Sequence, residues 1–83
     1  MSDKLTFARE LVQHSLRLIK MAIFNNPSNI ILGKQIQNKT ITQLIEHIII
    51  LRWHITFRTD IIKRRKDLAL RVCQTTIAEL YEL

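Results

Sequence analysis

Between residues 3 and 24, small or apolar side chains recur every three or four positions. Leu5, Ala8, Leu11, Val12, Ser15, Leu18, Ile19, Ala22 and Ile23 fall on one face of a helix, and Arg9, Gln13, Arg17 and Lys20 on the other. Ser2 stands where an N-cap belongs, and Asp3 suits the positive end of a helix. The stretch FNNPSNIILGK interrupts this pattern. Asn25 and Asn26 can end the first helix. Asn26 can cap a second, with Pro27 at its first position, where a missing N–H costs nothing. The spacing predicts that the second helix starts near Pro27 or Gly33.

From Gln35 to Phe57 a second stripe follows: Ile36, Ile41, Leu44, Ile45, Ile48, Ile49, Leu51 and Ile55. A rival pattern overlaps its end. In IILRWHITFR, residues 49–58, Leu51, Trp53, Ile55 and Phe57 alternate with Arg52, His54, Thr56 and Arg58, as in a strand. The helix is favoured, because no second strand exists to satisfy the first one's backbone. A third helix is predicted over 60–82, capped by Thr59 with Asp60 in its first turn. Its stripe is Ile62, Leu68, Ala69, Val72, Cys73, Thr76, Ile77 and Leu80. The expected fold is all-α: one domain over residues 1–83, a small antiparallel helical bundle of three helices, or of four.

Composition sharpens this picture. A chain of 83 residues buries only about 60–65% of its unfolded surface. Yet 47% of its residues are apolar, more than one thin core needs, so part of that surface is expected to meet other protein subunits, including copies of the chain itself. One Gly and one Pro exclude a turn-rich all-β fold. A lone cysteine excludes an internal disulfide and suits the cytoplasm. The longest apolar run is IIIL at 48–51, far short of the roughly 20 residues that span a bilayer. No membrane partner is expected.

Charge changes the picture most. The net charge is +6. It sits in the middle of the chain: the first 16 residues balance, and the last 12 carry only Glu79 and Glu82. Arg58, Lys63, Arg64, Arg65 and Lys66 crowd into FRTDIIKRRKD, residues 57–67, against Asp60 and Asp67. Cations near a helix start oppose the helix dipole, so they weaken the helix that carries them. A polyanion gives them another purpose, since each phosphate neutralised releases counterions. A nucleic acid, RNA or single-stranded DNA, is the expected partner. Arg58, Lys63, Arg64, Arg65, Lys66 and Arg71 are the expected contacts, with Arg52, Lys34 and Lys39 as weaker ones. Trp53 beside Arg52 and His54 reads as a half-buried anchor or as a platform for stacking a base.

Catalysis finds little support. His47 and His54 are two helical turns apart, about 10 Å along the axis, and no Cys or carboxylate completes a metal set. Cys73 falls on an apolar stripe, with no base beside it. Neither a metal nor another cofactor is expected, and the chain is not expected to be an enzyme.

PSNIILG, residues 27–33, resembles the PSNIxxG signature of a family of small four-helix-bundle proteins, through Pro27, Ser28, Asn29, Ile30 and Gly33. That family takes in proteins encoded in ribosomal RNA intervening sequences and the accessory variability determinants of diversity-generating retroelements. The stretch Gln35–Phe57 looks like the helix that follows the motif. The retroelement members are basic and oligomeric, and they bind a reverse transcriptase and its RNA. The resemblance implies a noncatalytic accessory role. The family has four helices where this pattern shows three, so another copy would have to supply the fourth. The small subunits of CRISPR effector complexes are similar in architecture alone: short, basic helical bundles that line a nucleic-acid path. The alternative from another class is a protein–protein module, of the immunity or inhibitor type, that grips an acidic partner.

Overall fold

A computed structural model describes residues 2–24 and 36–83 of the chain. They form three helices: α1 (Ser2–Phe24), α2 (Ile41–Phe57) and α3 (Lys63–Tyr81). The fold is the small all-α bundle that the stripes predict. Among the described residues there is no strand, and residues 49–57 are helical throughout. The strand pattern there had nothing to pair with, and the helix satisfies the same backbone internally.

Helix α3 packs against both α1 and α2, while α1 and α2 share a shorter seam. The short connection from Phe57 to Lys63 turns α3 back along α2, and α1 and α2 run in the same direction, so α3 opposes both. Two contacts fix that direction. At the start of both helices, the Arg9 guanidinium donates to the Lys39 carbonyl at 3.4 Å. Towards their ends, Ile19 and Ile23 of α1 line one cleft with Leu51 and Ile55 of α2. The resulting body is a slab of about 40 × 24 × 14 Å.

The core is a single apolar cluster. Ala8, Val12, Leu16, Ile19 and Ala22 come from α1, with Leu44, Ile45, Ile48 and Ile55 from α2 and Ala69, Cys73 and Leu80 from α3. Ile36, just ahead of α2, is fully buried with them. One polar pair lies inside it. The Ser15 and Thr76 hydroxyls meet at 2.5 Å across α1 and α3. Each also lies 2.8 Å from the carbonyl four residues back, Leu11 and Val72 respectively. One hydroxyl donates to the other and the second to its own carbonyl, so each of the two buried groups has a partner.

Two helix starts differ from the sequence reading, each for a local reason. The stripe read from Gln35 to Phe57 is broken at residues 37–40, and helix α2 begins at Ile41. Thr40 caps it, taking the Gln43 N–H at 3.2 Å while the Gln43 side chain takes the Thr40 N–H at 2.9 Å. That reciprocal box is the stronger stop, and a turn closed by the Lys39 N–H on the Ile36 carbonyl precedes it. The predicted starts at Pro27 and Gly33 lie outside the described residues. Helix α3 begins at Lys63, three residues later than predicted, with Ile62 as its N-cap. Thr59 does not cap it, and Asp60 is not in its first turn, because the Asp60 carboxylate is held by Arg58 within the connecting turn. Ile62, predicted for the core, is therefore 69% exposed. In α1, Leu16 replaces Leu18 in the core.

No helix among the described residues is long and apolar enough to cross a membrane.

Candidate nucleic-acid interface

The basic cluster is built where α2 ends and α3 begins. Arg58 is the C-cap of α2, and its N–H reaches back to the Ile55 carbonyl. Its guanidinium grips Asp60 with two nitrogens: Nε donates to Oδ1 at 2.9 Å, and Nη2 to Oδ2. This hydrogen-bonded pair pushes the Asp60 carboxyl below its ordinary range and the Arg58 guanidinium above its own. Both groups are solvated, so the pair shapes the turn more than it stabilises the fold.

Lys66 has a different task. Its ammonium donates to the Thr56 carbonyl at 3.1 Å and to the Arg58 carbonyl. Those carbonyls close the end of α2, where the helix dipole is negative and acceptors lack partners. Lys66 thus ties the first turn of α3 onto the last turn of α2. The sequence reading grouped it with the phosphate contacts and missed this role. The signal was there: a lysine one turn past a tight connection can reach back to the preceding helix end.

What is left forms a surface. Lys63 and Arg64 are exposed at the first two positions of α3, and Arg65 is half-buried beside them. The helix start has no acid in its first turn and no side-chain cap. Its uncapped N–H groups add their partial positive charge to that of the side chains. Lys63, Arg64 and Arg71 line one open depression together with Asp67 and Leu68. Arg64 and Arg71 are two helical turns apart, about 10 Å along the axis. Three cations against one carboxylate on a single face make a site for an extended anion rather than for a small one. Asp67 and Leu68 were not among the expected site residues, although each lies four residues after a cation, Lys63 and Arg64 respectively, which places them on this face.

Two of the three weaker candidates, Lys39 and Arg52, do not join this surface. Lys39 lies before the start of α2, at the opposite end of the slab, and its charge acts on His47. Arg52 is exposed on α2, close enough to α3 to act electrostatically on Cys73. Lys34 lies outside the described residues.

Trp53 and Phe57 stack on each other, with ring centroids 5.4 Å apart and planes 15° from parallel. Both rings are exposed, so Trp53 is no core anchor of its own bundle. Burial pushes the Cys73 thiol up to about 11, with the nearby Arg52 charge working against that rise. The thiolate is scarce at neutral pH. His14 and His54 are exposed and His47 is half-buried. Among the described residues, no three His, Cys, Asp or Glu side chains gather as metal ligands would.

Compared with known proteins, the chain matches no family model, no curated protein and no solved structure. The PSNIILG residues lie outside the described part. The geometry of the basic face is therefore the ground for a functional reading.

Proposed function

We propose that this chain is a noncatalytic, basic helical subunit that holds the phosphate backbone of a nucleic acid, RNA or single-stranded DNA, within a multi-subunit nucleoprotein complex of the cytoplasm. One observation carries the reading. Lys63, Arg64 and Arg65 open a helix that has neither an acid in its first turn nor a capping side chain. Such a start is electrostatically poor for the isolated helix and good for a bound polyanion. Arg71 extends the same face by two turns. Contacts of this kind position a strand without reading its sequence. The likeness of PSNIILG to the retroelement accessory proteins points the same way, and the CRISPR small subunits offer the same use of a basic bundle.

A second reading has its own observation. Leu68 is exposed among the cations of the depression. An apolar contact there suits an acidic protein partner better than a phosphate chain.

Gel shift with generic single-stranded RNA and DNA at low salt separates the two. The proposal expects binding that Lys63→Glu with Arg64→Glu abolishes while the helical circular-dichroism spectrum stays intact. No shift at low salt, or a shift unchanged by the charge reversal, rules out the phosphate grip.

A further inference from the structure

We propose that the outer face of α2 is a two-fold interface on which a second copy of this chain docks antiparallel. The starting point is a mismatch between α2 and its place in the fold. A helix on the edge of a bundle ordinarily has one apolar stripe and one polar face. In α2, apolar residues run round the whole circumference. Leu44, Ile45, Ile48 and Ile55 fill the inward side. On the outward side Ile50, Trp53 and Phe57 are 56%, 53% and 71% exposed. Their spacing, three and then four residues, is that of a single helix-packing seam, and Glu46 extends it by one turn.

Area supports a protein occupant. Covering the exposed parts of these three side chains removes on the order of 350 Å² per copy, or roughly 700 Å² for a symmetric pair. Contacts from the rim bring that towards the roughly 1,200 Å² at which specific interfaces begin.

Charge selects a copy of the same chain and sets its direction. The chain as a whole is strongly basic, but α2 carries one acid, Glu46, and one base, Arg52. It is the helix on which two such chains can meet without repulsion. The two ends of its outer face differ. Glu46 lies towards the start, and the basic turn with Arg58, Lys63 and Arg64 follows the end. A parallel pair would stack the basic turns of both copies against each other. An antiparallel pair brings Glu46 of each copy towards the basic turn of the other and sets Ile50 opposite the other copy's Trp53. The interface is then self-complementary, as a two-fold axis requires.

The inference stands on the α2 face and not on the phosphate reading, so each can fail alone. Sedimentation equilibrium of the full chain, from low to high micromolar concentration, tests it. The expected result is a reversible dimer for the native chain and a monomer of unchanged helicity for Ile50→Glu with Trp53→Glu, both at exposed positions. Glu46→Lys is expected to weaken the dimer at least tenfold at low salt, without touching the apolar seam. Mixing Ile50→Cys chains with Trp53→Cys chains under mild oxidation should give chiefly the mixed disulfide, since Cys73 is buried. A monomer at every concentration, or a dimer indifferent to the double substitution, overturns the interface. Preferential linkage of like positions in the cysteine mixture overturns the antiparallel arrangement.

Discussion

Replacing Lys63 and Arg64 by Glu should make the free protein more stable. The two residues open α3, in a turn without an acid or a capping side chain. A charge in the first turn of a helix is worth about 0.3–1 kcal/mol, favourable for an anion and unfavourable for a cation. Each reversal counts twice, once for the cation removed and once for the anion gained. Asp67 works against the gain. It lies four residues from Lys63 and three from Arg64, and each such helical pair is worth about 0.2–0.5 kcal/mol before it turns repulsive. Both side chains are exposed, so no buried contact is lost with them. The balance is a stabilisation of about 0.5–1.5 kcal/mol for the pair. For a domain of this size that raises the melting temperature by roughly 2–12 °C. Thermal melts followed by circular dichroism at low ionic strength measure it, because salt screens the effect. A melting temperature that falls by a similar amount would refute the reasoning. It would mean that the cations serve the fold, and that no ligand is needed to explain them.

Lys66 should behave in the opposite sense. Lys66→Met keeps the stem and deletes the ammonium that closes α2, and it should cost about 1–2 kcal/mol in chemical denaturation while leaving oligonucleotide affinity nearly unchanged. Leu44 is fully buried, and Leu44→Ala should cost about 2–5 kcal/mol, enough to unfold much of so small a domain at physiological temperature. Stability should also fall in mild acid. Burial, aided by the charge of Lys39, holds the His47 imidazole below its ordinary pKa, so the unfolded chain takes up the proton first. The loss begins as pH drops through about 6.5 and continues towards the lower folded value. Melts of the native chain and of His47→Gln across that range should diverge only on the acid side.

The helices and most of the core were legible in the stripes, because burial of one face at helical spacing is a local property. Val12, Ile48 and Cys73 are inside, where the pattern put them. Ser15 and Thr76 also fell on their stripes, but their mutual hydrogen bond crosses between two helices and no local pattern encodes it. The helix starts were read less well. Thr40 and Gln43 form a capping box that the sequence displays openly, yet the apolar stripe running past it from Ile36 hid the break ahead of Ile41. At α3 the error had another source. Thr59 and Asp60 look like a cap and its acidic neighbour, but Arg58 two residues away competes for the carboxylate and wins by holding it with two nitrogens. The same competition divided the basic cluster. Charge counting cannot tell a lysine that closes a neighbouring helix from one that faces solvent. That distinction needs the angle between α2 and α3, which five connecting residues set.

The account's central claim is that the cations at the start of α3 serve a phosphate backbone, and the salt dependence of binding tests it most directly. Affinity for a generic single-stranded oligonucleotide should be followed as salt is raised. Lys63, Arg64 and Arg71 together predict a log–log slope of about −2 per chain, because each phosphate neutralised on a single strand contributes about −0.7. Lys63→Glu with Arg64→Glu should leave no binding to follow over the same range of salt. A native chain with no measurable affinity in dilute buffer, or with an affinity that salt does not change, would contradict the claim.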